Sequence, residues 1–162
     1  MKGPLRSPGK PKVTVRSPLP AGTRTRTLLY VEDNPANLAL VEQIIARHPD
    51  IRLLTAAYGT HGIETARVSK PDVILMDINL PDLNGFEALK ILRADPATMH
   101  IPVVALSANA MVSDIDLAKK AGFFSYITKP FKVTEFTKTM NGALKFAEEE
   151  RVLRVRNAAK MH

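Results

Sequence analysis

Five short apolar runs, each followed by a longer stretch with helical periodicity, constrain this chain more than any other feature. The runs are TLLYV (27–31), IRLLTAA (51–57), DVILM (72–76), IPVVALS (101–107) and FFSYIT (123–128). The first and second are separated by NPANLALVEQIIARHPD, with Asn34 as helix N-cap, Pro35 at the first helical position and Leu38, Val41, Ile44 and Ile45 on one face. A weaker helix covers about 60–69, bounded by Lys70-Pro71-Asp72, and FEALKILRAD reads as a third. A fourth near 110–121 closes at Gly122. The last starts at about Val133 and places Phe136, Met140, Ala143 and Ala147 at helical spacing; EEERVLRVR is its charged extension or a tail. Strands that alternate with helices build right-handed βαβ units, hence a doubly wound α/β fold with a five-stranded parallel sheet and helices on both faces. Nearly continuous apolar runs suit strands buried on both sides.

Length and composition set the limits. The 162 residues suffice for one domain with a real core and are too few for two. No apolar run approaches the roughly 18 residues of a membrane span. Cysteine is absent, which excludes disulfides, thiol nucleophiles and zinc-thiolate centres, and a reducing cytoplasm fits. The net charge of +7 suggests nucleic acid until it is located. Lys2, Arg6, Lys10, Lys12, Arg16, Arg24 and Arg26 account for all of it, so the rest of the chain is formally neutral. Residues 1–26 also hold five prolines and no acid, the composition of a disordered basic leader or linker. The domain then occupies 27–147, with 148–162 as a charged extension or tail.

In parallel sheets ligands sit at the carboxyl ends of the strands. Here those ends carry Glu32-Asp33 after the first strand, Asp77 after the third, Ser107 after the fourth and Thr128-Lys129-Pro130 after the fifth. Singly, each has an ordinary structural explanation: Asp33 could cap the first helix, Ser107 the fourth, and Lys-Pro could be only a turn. Together they bring carboxylates, a hydroxyl and an ammonium to one edge of the sheet. Clustered carboxylates call for a hard divalent cation such as Mg²⁺, and a lysine with a hydroxyl can clamp an anion. That set suits phosphoryl transfer onto Asp77. None of the four histidines (48, 61, 100, 162) stands at a strand end in a paired spacing.

The pieces VEDN, DVILMDINLPDLNG, PVVALSA and AGFFSYITKPF resemble the receiver domain of two-component response regulators, a flavodoxin-like fold. The resemblance spans about Thr27 to Ala147. It implies that Asp77 is the phosphoacceptor and that Asp33 and Glu32, with Asp77 and the backbone carbonyl of Asn79, bind Mg²⁺. It implies further that Lys129 pairs with the phosphoryl group, that Ser107 bonds to it and moves, and that Tyr126 is an aromatic switch following Ser107. Pro81 and Gly85 match turn positions after the acceptor. Implied partners are a histidine kinase or histidine phosphotransfer protein upstream and a protein target downstream, with no membrane. Met111, Phe123 and Phe124 read first as packing residues, and otherwise as a docking surface.

The chain departs from transcriptional regulators. After Ala147 only fifteen residues remain, too few for a DNA-binding domain, and FFS precedes Tyr126 where those proteins usually carry acids. LSANAMVSDIDLAKKAGFFSYITKP is closer to receivers of hybrid kinases or to stand-alone receivers. The rival from another class is an aspartate-nucleophile phosphatase of the haloacid dehalogenase kind. It needs a second acid two residues after the nucleophile, and Asn79 stands there. A nucleotide-binding module is a second rival, but no glycine-rich phosphate loop follows the first strand.

Overall fold

The computed structural model describes residues 12–13, 24–109 and 111–160. Its sheet contains β1 (Lys12–Val13), β2 (Arg26–Val31), β3 (Ile51–Ala56), β4 (Val73–Asp77), β5 (Val103–Ser107) and β6 (Ser125–Thr128), in the order β1-β3-β2-β4-β5-β6. β2 to β6 are parallel and are the five strands expected from the apolar runs. β1 is an antiparallel addition at the edge, with Lys12 opposite Thr55 and Val13 opposite Leu54. Its two residues open the short β-branched stretch KVTVR, which is set among prolines. Most of the expected leader lies outside the described residues. Three of its basic residues belong to the folded unit, Lys12 as part of β1. Arg26 opens β2 and pairs with Asp50, and Arg24 donates to Asp72 at 2.7 Å and to Glu148 at 3.1 Å.

The connections are α1 (Pro35–Ile45), α2 (Gly59–Ser69), α3 (Gly85–Ala94), α4 (Val112–Ala121) and α5 (Val133–Lys160). Asn34 caps α1 as expected: its side-chain oxygen accepts from the amides of Ala36 and Asn37 at 2.9 and 3.3 Å. Pro35 follows at the position where a missing N–H costs nothing. α4 ends at Gly122, whose φ of 108° is a conformation glycine adopts without a Cβ clash. α5 continues through the charged stretch to Lys160, a length of about 42 Å at the usual helical rise. No helix among the described residues is long and apolar enough to cross a membrane.

Alternation along each strand divides the core in two. Leu29, Val31, Ile74, Met76, Val103 and Ala105 face α2, α3 and α4, while Leu28, Tyr30, Val73, Leu75, Val104 and Leu106 face α1 and α5. Both sets are buried, which explains why the strands read as unbroken apolar runs. Each such side chain contributes on the order of 1.5–3 kcal/mol by leaving water. The two layers hold the sheet rigid and fix the register of its strand ends. In that register, Val31 pairs with Met76 and Ser107 with Thr128.

Candidate functional site

The strand order reverses between β2 and β4, so a crevice opens at their carboxyl ends. Glu32 and Asp33 leave β2 there, beside Asp77 at the last position of β4. β6 delivers Lys129 to the same edge. Its ammonium donates to Asp77 Oδ2 and to Glu32 Oε1, each at 2.7 Å. Glu32 Oε1 also accepts from the Tyr30 hydroxyl at 3.0 Å and from Asn37 Nδ2 at 2.8 Å. Asp77 Oδ1 accepts from the backbone N–H of Asn79 at 2.9 Å. The turn beyond Asn79 returns tightly: Asn79 bridges to Asn84, and the Gly85 amide donates to the Ile78 carbonyl at 2.8 Å. A Cβ on Gly85 would lie 2.8 Å from Ile78 Cα and 3.1 Å from the Asp77 carbonyl oxygen, so only glycine lets this turn close on the strand end.

Burial sharpens the electrostatics. Glu32 is fully buried and Asp77 is 5% exposed. Burial, then the neighbouring Glu32, pushes the Asp77 carboxyl up to about 6. Burial acts the same way on Glu32, but its contacts with Asp77 and the Lys129 ammonium outweigh that and hold it below the usual carboxylate range. Lys129 loses basicity to burial and regains more from the two acids, so its ammonium is held above the ordinary value. The Tyr30 hydroxyl is raised by burial and by Glu32. One ammonium therefore serves two buried carboxylates.

The donor set is incomplete in one place. Glu32 Oε2 is buried without a hydrogen-bond partner, a loss on the order of 1–3 kcal/mol and more for a charged group. One carboxylate oxygen each from Glu32, Asp33 and Asp77 lie within 4.8 Å of one another. A hard cation taking oxygen ligands fits this group, with its orphaned oxygen and its surplus of negative charge.

The four charged residues expected at the site thus converge. Ser107 stands beside them at the end of β5, 1% exposed, and Asp77 pairs with its neighbour Leu106. Its hydroxyl oxygen accepts from the Asn109 amide at 3.1 Å. It does not cap α4, whose N-cap is Met111. Half-buried Tyr126 donates its hydroxyl to the Asn109 carbonyl at 2.7 Å. Asn109 therefore joins Ser107 to Tyr126, one through its N–H and the other through its C=O. Neither Asn109, Tyr30 nor Asn37 emerged from the sequence. Tyr30 had a readable signal, because residues two apart in a strand share a face and Tyr30 precedes Glu32 by two. The packing expectation holds for Phe123, which is 5% exposed and meets Phe86 edge-on at 5.5 Å, and in part for Phe124, whose ring lies 5.1 Å from that of Phe146. Met111 and Phe124 are surface residues, 67% and 38% exposed. They flank the ends of α4 without filling its thin buried face, where Ala118 is the only buried residue.

Comparison with known proteins decides the family. Residues 28–141 match the family model of the response regulator receiver domain. The chain belongs to this family. The polar-differentiation response regulator DivK of Brucella ovis is 37% identical over 120 residues, which cover 74% of this receiver chain and 97% of the relative. The receiver domain of the sensor histidine kinase PA1611 from Pseudomonas aeruginosa was solved with a magnesium ion coordinated in its active-site cleft. It matches with a TM-score of 0.67 at 33% identity, over 75% of this chain and 98% of that one. The chemotaxis response regulator CheY4 of Vibrio cholerae shares the fold, with a TM-score of 0.68 at 24% identity over 74% and 98% of the two chains. As a receiver of two-component signalling, the protein carries its acid cluster at the switch point of a flavodoxin-like sheet.

Proposed function

We propose that Asp77 accepts a phosphoryl group from the phosphohistidine of a histidine kinase or histidine phosphotransfer protein, and that the modified receiver presents an altered surface to a downstream protein. The observation that carries this reading is the Asp77 carboxylate, nearly buried, 2.7 Å from the Lys129 ammonium and next to the unpartnered oxygen of Glu32. The carboxylates of Glu32, Asp33 and Asp77 and the backbone carbonyl of Asn79 would hold Mg²⁺, which would supply the positive charge that lets a phosphoryl group approach three acids. An oxygen of Asp77 attacks phosphorus as the bond to the donor imidazole nitrogen breaks. The imidazole leaves with the electron pair, and Asp77 carries an acyl phosphate. Lys129 pairs with the phosphoryl oxygens, while the Asn79 amide keeps the aspartate oriented.

Ser107 is the link to the surface. Its oxygen accepts from Asn109, so its own proton is available to a phosphoryl oxygen. Drawing Ser107 inward strains its bond to Asn109 and, through the Asn109 carbonyl, the anchorage of Tyr126. The receiver is thus a phosphoryl carrier and switch of a phosphorelay, without turnover of a small molecule. Donors of this kind place its action in the cytoplasm. The haloacid dehalogenase reading has no support in the site: Asn79 offers an amide, which cannot cycle a proton as a general acid must.

Mass spectrometry after incubation with acetyl phosphate and Mg²⁺ tests the assignment. One phosphoryl mass should appear, and it should vanish with EDTA and with Asp77→Asn. Labelling that survives either treatment overturns it.

A further inference from the structure

A second cavity lies at the opposite edge of the sheet, where the parallel strands begin. It has a volume of about 200 Å³ and is lined by Arg24, which precedes β2, Lys70 and Asp72 before β4, His100 before β5, and Arg151 and Arg154 of α5. We propose that this cavity binds a compact phosphate-bearing anion of the diphosphate class, either free or as the diphosphate of a nucleotide.

Charge accounting supports the choice of an anion. Four permanent cations face one lining carboxylate, and that carboxylate is already engaged. Asp72 Oδ1 accepts from Arg24 and Asp72 Oδ2 from the Thr27 amide, both at 2.7 Å. Glu148, beside the cavity, is shared between Arg24 and Arg151. Among the described residues, Lys70 and Arg154 have no carboxylate within ion-pair distance. His100 is depressed below its ordinary value by burial and by the charges of Arg154, Arg93 and Lys70, so it offers a neutral ring N–H to an anion.

The backbone adds an independent sign. Lys70 sits at the C-cap of α2 with φ 47°, and it is the only described residue other than glycine with positive φ. Glycine is the usual choice for such a position; here it is occupied by a cation that faces the cavity. Arg24, Arg151 and Arg154 also lie outside residues 28–141, the part matching the receiver family. Three of the four permanent cations thus lie outside the matched region, while Lys70, Asp72 and His100 lie within it.

A volume of about 200 Å³ admits two linked phosphoryl groups and excludes most of a nucleoside, whose base and ribose would remain outside. Forked guanidinium groups suit phosphate oxygens, and the paired arginines of α5 can bond to both phosphoryl groups at once.

Amide NMR of the full chain in EDTA, titrated with inorganic pyrophosphate, tests this. Without divalent cation the acid site around Asp77 repels the same anion, so the two sites are read apart. Shifts are expected at Lys70, His100, Arg151 and their neighbours, saturating at about 5 mM or below, an affinity typical of a small ligand with a few charge-assisted bonds. Lys70→Gly should weaken binding about tenfold, as should Arg154→Glu. The glycine suits the left-handed backbone and the glutamate lies on an exposed turn, so both variants keep the fold. ADP saturating the same amides at lower concentration identifies a nucleotide as the source; tighter pyrophosphate identifies a free diphosphate. Shifts confined to residues 1–23, shifts reproduced by sodium chloride of equal ionic strength, or affinities unchanged in both variants would overturn the proposal.

Discussion

At the scale of single residues, the proposed coupling of phosphorylation to the surface would run through two hydrogen bonds to Asn109. Ser107 takes its N–H and Tyr126 gives to its C=O. Ser107→Ala removes the first bond and the donor to the phosphoryl group, yet leaves Lys129 and the three acids in place. The variant should therefore still acquire a phosphoryl group on Asp77 while losing most of the response at Tyr126 and in α4. NMR with and without beryllofluoride, a phosphoryl mimic, reads this directly. Shifts confined to the acid pocket in the unaltered protein would mean that no such switch exists. If the switch operates, the unmodified protein should already sample the switched state, because a ligand can only bias an equilibrium between states that it binds unequally. Glu32, Asp33, Asp77 and Lys129 were legible because each ends or follows an apolar run, and parallel strands bring such ends together. Asn109 was not, since its role is carried by backbone atoms and no residue type signals that.

At the scale of elements, the segment between β4 and α3 behaves as a fixed bracket around the acceptor. Asp82 in that segment accepts from the amides of Gly59 and Thr60 and from the Thr60 hydroxyl, at 2.8, 3.0 and 2.8 Å, so it caps α2 from a distance. Burial raises its pKa, and these bonds together outweigh burial and lower it. A depressed carboxyl contributes stability that is fully present above the unfolded value near pH 4 and is lost as pH falls through the lower folded value. Urea melts at about pH 6 and pH 3 should show Asp82→Asn losing less on acidification than the parent, with a neutral-pH cost of about 1 kcal/mol for the weakened cap. Equal acid losses would refute that role. Gly85→Ala pushes a Cβ against Ile78 and the Asp77 carbonyl and should cost about 1–3 kcal/mol. It should also slow acetyl phosphate labelling; an unchanged rate would show that the turn can yield without moving Asp77. The five parallel strands and five helices were legible from period and punctuation. β1 was not, because its short β-branched stretch KVTVR is set among prolines and basic residues whose composition reads as a leader. The exposure of Met111 and Phe124 was also hidden, since an apolar residue near a helix end reads alike whether it packs inward or meets a partner.

At the scale of the whole molecule, α5 has two parts with different physical roles. Its buried residues, Phe136, Met140, Ala143 and Leu144, all lie in the first half and close one face of the sheet. Beyond Ala147 the helix exposes Val152, Leu153 and Val155, and the ties from this part to the rest of the chain are solvent-exposed, such as the 3.1 Å pair between Glu148 and Arg24. Exposed ion pairs of this kind contribute about 0–1 kcal/mol each. Its charged composition made continuation or a tail equally readable from sequence, because neither requires a packed face. Truncation after Ala147 should therefore lower Tm by no more than about 3–5 °C, what a loss near 1 kcal/mol produces in a domain of this size. Asp77 labelling should be unaffected, since the acid site is assembled from β2, β4 and β6 at the other edge of the sheet. Pyrophosphate shifts at Lys70 and His100 should disappear with Arg151 and Arg154. Calorimetry, mass spectrometry and NMR on the one truncated chain check all three expectations. A large drop in Tm would mean that the second half of α5 is part of the fold's support, and slower labelling of Asp77 would mean that the two edges of the sheet communicate.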